Sequence, residues 1–147
     1  MAHVVTFPNA PKSETGVMRQ PLQTILHVDD DDDIRVIIKM ALEIVGSFDV
    51  HQFATGQDAV EAAAGVNPQM LLLDVMMPDM SGEDVWHAIT ATPGLADIPT
   101  VFLTAKAEDS FSKQLREKGA VAVITKPVDP MMLGTQIEQI WQSIDHV

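Results

Sequence analysis

Five aspartates, Asp29 to Asp33, follow one another in the run HVDDDDDIRVII, directly after one apolar stretch and directly before another. Carboxylates that close repel each other, so the run is either a solvated loop or the seat of something positive. Farther along, Asp74 closes the apolar stretch QMLLLD, Thr104 closes PTVFLT, and Lys126 follows AVAVIT. A carboxylate can bind a hard cation or act as a nucleophile. A hydroxyl can donate to a developing anion, and an ammonium can neutralise one. These groups work together only if the chain folds their distant segments side by side.

The elements that carry them alternate. TILHV (24 to 28) reads as a buried strand, and IRVIIKMALEIVG as a helix with Ile34, Ile37, Ile38, Ala41 and Val45 on one face, closed by Gly46. FDVHQF is a weaker strand, and GQDAVEAAA a short helix ended by Gly65 and Pro68. QMLLLD is a strongly apolar strand, and GEDVWHAITA a helix stopped by Pro93 and Gly94. PTVFLT follows as a strand, then EDSFSKQLREKG as a helix with Phe111 and Leu115 inward, then AVAVIT, and last PMMLGTQIEQIWQSI as a helix. Five apolar strands separated by helices indicate an α/β fold, a five-stranded parallel sheet with helices on both faces. Parallel pairing needs crossovers, and the crossover helices bury the sheet.

In an open parallel sheet, ligands bind beyond the carboxyl ends of the strands. Four of the five strands end there in a chemically able residue: Asp29 with Asp30, Asp74, Thr104 and Lys126. The second strand ends in Phe53, Ala54 and Thr55, as expected of an edge strand away from the crevice. Asp29, Asp30 and Asp74 would then converge, and a hard divalent cation would let all three stay ionised. Oxygen ligands, few in number and with room for water and a phosphate, suit Mg2+. Asp31, Asp32 and Asp33 need no metal, because they fall at the cap and first turn of the following helix. A solvated loop would account for the run alone, but not for a carboxylate closing the most apolar strand in the chain.

The whole composition narrows the classes further. At 147 residues the chain is one ordinary domain, and its formal net charge of −12 makes it a poor partner for nucleic acid or an anionic membrane face. There is no cysteine, which excludes disulfides and thiolate chemistry. Residues 1–21 read as a flexible leader and 22–147 as the folded domain. With no secretory signal and no run of spanning length, a cytoplasmic location is expected.

In combination, the acid pair in ILHVDD, the phrase LLLDVMMPDMSG, the hydroxyl in VFLTA and the Lys-Pro of ITKPVD resemble the receiver domain of two-component response regulators, from Thr24 to Ile144. The resemblance implies a doubly wound, flavodoxin-like sheet of order 2-1-3-4-5, an arrangement known from a chemotaxis member of that family. It implies Asp74 as the phosphoacceptor, taking a phosphoryl group from a histidine kinase or histidine phosphotransfer protein. It also implies Mg2+ held by Asp29, Asp30, Asp74 and the carbonyl of Met76. Lys126 would neutralise a phosphoryl oxygen, and Thr104, assisted by the Ala105 amide, would bind the phosphorylated form. Pro78 and Gly82 would shape the loop after Asp74, and Lys126-Pro127 would be cis. Output would be contact with a downstream protein, and the fourth helix, fifth strand and fifth helix would offer a dimer surface.

The chain departs from the pattern at Val123, where many receivers carry an aromatic residue, and at Val128, where phenylalanine is common. Met76 and Lys106 occupy variable positions that affect phosphate turnover in the family. His27 reads as a packed core residue, the pairs Met76-Met77 and Met131-Met132 as loop and core filler, and Trp141 as core or, if partly exposed, a contact site. The leading reading is a stand-alone receiver, and three others compete, of which a degenerate, unphosphorylated receiver is disfavoured because all five site residues remain. The chain could be a receiver excised from a longer regulator or hybrid kinase. An aspartate-nucleophile phosphatase of the haloacid dehalogenase type is disfavoured, because that family needs a second aspartate where Met76 stands.

Overall fold

A computed structural model describes residues 4–6, 20–105 and 110–144. Expectations that fall on 7–19, on Lys106, or on Glu108 and Asp109 as the start of a helix lie outside the described residues. The elements are β1 (Val4–Thr6), β2 (Thr24–Val28), α1 (Asp32–Lys39, continued as a π-helical segment Met40–Val45), β3 (Asp49–Phe53), α2 (Gly56–Val66), β4 (Met70–Asp74), α3 (Gly82–Thr90), β5 (Thr100–Thr104), α4 (Ser110–Glu117), β6 (Ala122–Thr125) and α5 (Leu133–Ser143). The sheet order is β1-β6-β5-β4-β2-β3. β2 to β6 are all parallel, and their order is the doubly wound one expected.

The sheet separates two apolar layers. Ala59 and Ala63 of α2, Val85, Trp86 and Ile89 of α3 and Leu115 of α4 pack on one face against Leu26, Leu71, Leu73 and Phe102. Ile38, Ala41 and Leu42 of the α1 segment and Ile137, Ile140 and Trp141 of α5 pack on the other, against Ile25, Leu72, Val101 and Leu103. Strand residues alternate between the layers, so each strand is buried on both sides and its sequence is continuously apolar.

Helix starts follow their side chains. The Asp31 carboxylate accepts the amides of Asp33 and Ile34, and Asp32 and Asp33 occupy the first turn of α1. Thr55 caps α2, and Ser81 with Asp84 forms a capping box on α3. These caps leave Asp29 and Asp30 as the acids of the run that are free of helix-building work.

Four expectations need correction. The leader 1–21 is not wholly without structure, because Val4–Thr6 pairs antiparallel with β6, Val4 opposite Ile124 and Thr6 opposite Ala122. Gln20 and Pro21 also belong to the domain: Trp141 Nε1 donates to the Gln20 carbonyl at 2.9 Å, and Gln69 Nε2 to that of Pro21 at 3.0 Å. On α1, Ile37 and Val45 are exposed, and Leu42 takes the inward place. The amide of Gly46 reaches five residues back to Ala41, and this wider turn carries Val45 out of the apolar stripe. Gly65 lies inside α2, which ends instead at Asn67 in the left-handed region (φ 50°), directly before Pro68. Met131 and Met132 are exposed in the turn before α5, whereas Trp141 is core, only 4% exposed.

Candidate functional site

Parallel register brings the strand tips together. β4 lies between β2 and β5, with Val28 beside Leu73 and Asp74 beside Leu103, and β5 pairs Thr104 with Thr125 of β6. Asp29, the residue after β2, donates its amide to the Phe53 carbonyl at 3.2 Å and is fully buried. Asp74 closes β4 with 5% exposure, while Asp30 stays exposed at the rim. One carboxylate oxygen from each of Asp29, Asp30 and Asp74 lies within 4.8 Å of the others. Three oxygen donors at that spacing, two of them buried, fit a hard divalent cation with positions left for water or an oxyanion.

Lys126 enters from the end of β6, across a cis peptide bond to Pro127. Its Nζ lies 3.0 Å from Asp74 Oδ1 and 3.2 Å from Asp29 Oδ2, so one ammonium bridges both buried carboxylates. Burial pushes the Asp74 carboxyl above its ordinary range, the charge of Asp29 adds to this, and the hydrogen bonds from Lys126 and the Met76 amide oppose it. Burial works against charge on Lys126, but the hydrogen bond to Asp74 and the charge of Asp29 outweigh it and raise its pKa. The site is therefore short of positive charge, a state that a divalent cation relieves.

The loop after β4 turns back on itself. The Gly82 amide donates to the Val75 carbonyl at 3.1 Å, and Asp79 sits at φ 68°. A Cβ on Gly82 would collide with the Asp74 carbonyl oxygen, so only glycine permits this return. Met76 touches Asp74 through its backbone amide and leaves its side chain 81% exposed. Thr104 is half-buried at the tip of β5, followed by an exposed Ala105. The site residues expected from the sequence thus all lie at the carboxyl edge of the sheet. Asp29, Asp30, Asp74 and Lys126 form the close cluster, Met76 joins it by its backbone, and Thr104 stands one residue beyond the strand partner of Asp74.

Two further side chains belong to the surroundings. Arg35 Nη1 donates to the Asp29 carbonyl at 2.6 Å, and its Nη2 pairs with the Asp32 carboxylate. Gln52 Nε2 donates to the Arg35 carbonyl at 2.7 Å and lies 3.1 Å from His27 Nδ1. Sequence alone does not single these out. The one signal for Arg35 is its place one turn into α1, where helical side chains lean back toward the amino end.

Residues 25–138 match the family described as response regulator receiver domain. The chain belongs to this receiver family. Receivers are signalling modules that interact with histidine kinase or phosphotransfer partners. Over 116 residues the chain is 41% identical to the transcriptional regulatory protein SrrA of Staphylococcus aureus, an alignment covering 79% of this chain and 46% of that protein. The receiver thus spans a little under half the length of this relative. Among solved structures, chemotaxis protein CheY4 of Vibrio cholerae superposes with a TM-score of 0.75, covering 82% of this chain and 99% of that one; at 23% identity this is likeness of fold. A putative response regulator from Chloroflexus aurantiacus gives 0.72 at 28% identity, covering 82% and 98%. Among the described residues, no helix of this receiver is long and apolar enough to cross a membrane.

Proposed function

We infer that this receiver is a phosphoacceptor: Asp74 takes a phosphoryl group from a phosphohistidine on a histidine kinase or phosphotransfer protein. A carboxylate oxygen of Asp74 forms the new bond to phosphorus, the bond from phosphorus to the imidazole nitrogen breaks, and the departing imidazole takes a proton from solvent. The observation that carries this is the gathering of Asp29, Asp30 and Asp74 within 4.8 Å, with Lys126 bridging Asp29 and Asp74. Phosphoryl transfer asks the protein chiefly for alignment and for positive charge around the transferring oxygens. Asp29, Asp30, Asp74 and the Met76 carbonyl would hold Mg2+, which when bound supplies that charge. Lys126 supplies more, holding a phosphoryl oxygen in place of its Asp74 contact, and Thr104 donates its hydroxyl to the phosphorylated form.

The receiver acts once per phosphoryl group rather than as a turnover enzyme, works in the cytoplasm, and signals by protein contact. Along their outer side, α1 and its π-helical continuation turn Val36, Met40 and Ile44 outward, an apolar stripe suited to a protein partner. A module of a longer regulator is the second reading, favoured by the 46% coverage of SrrA. The phosphatase reading has no support: Met76 carries no acidic proton for a leaving group and points its side chain to solvent.

Incubation with acetyl phosphate and Mg2+ should add one acid-stable, base-labile phosphoryl group, read by intact mass, and Asp74→Asn should abolish it. A modification that persists in Asp74→Asn would overturn the assignment.

A further inference from the structure

We propose that Arg35 is a positioning residue for the cation-binding acids, holding the Asp29–Asp30 peptide in the orientation that turns Asp30 toward Asp74. This rests on the phosphoacceptor reading above and extends it to a side chain outside the acidic cluster.

Asp30 is the exposed member of the carboxylate group, with no packing of its own to aim it. Its direction is set by the backbone on either side. The Asp29 amide is fixed by the Phe53 carbonyl at 3.2 Å, and the Asp31 amide by Asp29 Oδ1 at 2.9 Å. Between them, the Asp29 carbonyl belongs to the same peptide plane as the Asp30 amide, and it is held by Arg35 Nη1 at 2.6 Å. Fixing that carbonyl fixes the plane, and the plane fixes where the Asp30 side chain leaves the backbone.

Arg35 is in turn held from several sides. Its amide donates to the Asp31 carbonyl at 3.1 Å, its Nη2 pairs with Asp32, and its carbonyl accepts from Gln52 on β3 at 2.7 Å. The second Gln52 Nε2 proton faces His27 Nδ1 at 3.1 Å, which ties the brace to β2 itself. Arg35 is 18% exposed and planar, so its two guanidinium bonds share one rigid group. A lysine could reach one of those acceptors but not hold both.

Charge and position make opposite predictions here. As a mere cation near three carboxylates, Arg35 would repel a divalent ion, and removing it would tighten metal binding. As a positioning residue, its loss weakens binding, on the scale of about tenfold or more known for groups that orient metal ligands. The test uses the full chain and Mn2+, which accepts the same oxygen ligands as Mg2+. Free Mn2+ is counted by paramagnetic resonance for wild type, Asp30→Asn, Arg35→Gln and Arg35→Lys. Arg35→Gln should raise the Mn2+ Kd about tenfold, and Arg35→Lys should recover part of the loss. With acetyl phosphate, the Mg2+ concentration for half-maximal phosphorylation should rise in Arg35→Gln, while the rate at saturating Mg2+ stays within about twofold. A Kd for Arg35→Gln that is unchanged or tighter, beside a normal wild-type curve and a weakened Asp30→Asn, overturns the positioning role alone. A wild type that does not bind Mn2+ overturns it together with the phosphoacceptor reading. Arg35→Lys carries the same comparison if Arg35→Gln does not fold.

Discussion

His27 lies in β2, two residues before Asp29, fully buried, with Nδ1 toward Gln52 and Nε2 without a hydrogen-bond partner among the described residues. Burial first, then the positive charges of Lys126 and Arg35, lower its pKa from 6.5 to about 3. The folded protein therefore keeps the ring neutral across a range in which the unfolded chain protonates it. Between those two values the unfolded state binds more protons, so stability rises with pH there and falls on acidification, by up to about 1.4 kcal/mol per pH unit. Asp74 acts in the opposite sense: its raised pKa means the folded state holds its proton longer, so that stability contribution is present at low pH and fades as pH rises through its folded value. Denaturant midpoints measured from pH 6.5 to 3 should fall steeply for wild type and less steeply for His27→Leu, which has nothing to protonate. Parallel slopes would mean that His27 is not the group responsible.

At the scale of elements, the turn from β4 into α3 presses backbone against backbone at Gly82 and Asp74. Gly82→Ala should force the loop outward at a cost of about 1–3 kcal/mol, the usual range for overpacking. It should also slow phosphorylation from acetyl phosphate, because the displaced atoms belong to Asp74 itself. Near-native stability by chemical denaturation together with an unchanged phosphorylation rate would show the loop absorbing the methyl without moving the acceptor. Gly82 is legible in the sequence as a loop-shaping residue, and the placement of Asp29, Asp30, Asp74 and Lys126 at the carboxyl edge of the sheet is legible too, because strand ends in a parallel sheet can be read from where apolar runs stop. What resisted reading depended on geometry that spacing does not encode. The inner face of α1 assumed a uniform helical period, which the π-helical segment Met40–Val45 breaks. Spacing leaves Trp141 open between core and surface, and its burial comes with an indole bond to the Gln20 carbonyl, far away in the chain. Arg35 and Gln52 matter through side-chain reach across α1, β2 and β3, and no one-dimensional pattern marks that.

For the whole molecule, the sheet has one edge at β3 and another that β1 closes over β6. Val4–Thr6 carries no alternation long enough to be read as a strand; its pairing is supplied by β6, whose outer amides and carbonyls would otherwise face solvent. Two opposing effects then decide how the sheet behaves if β1 is removed. An uncovered edge invites a second chain to pair, whereas a formal charge of −12 on each chain keeps copies apart. Charge repulsion acts over a Debye length of about 8 Å at physiological salt and about 3 Å at 1 M, while strand pairing is a contact interaction that salt screens far less. Deleting residues 1–6 should therefore produce little association at low salt and increasing self-association as salt is raised, beyond that of the full chain. Sedimentation velocity across a salt series reads this directly. Equal behaviour of the two chains at every salt concentration would mean that β1 does not guard the β6 edge.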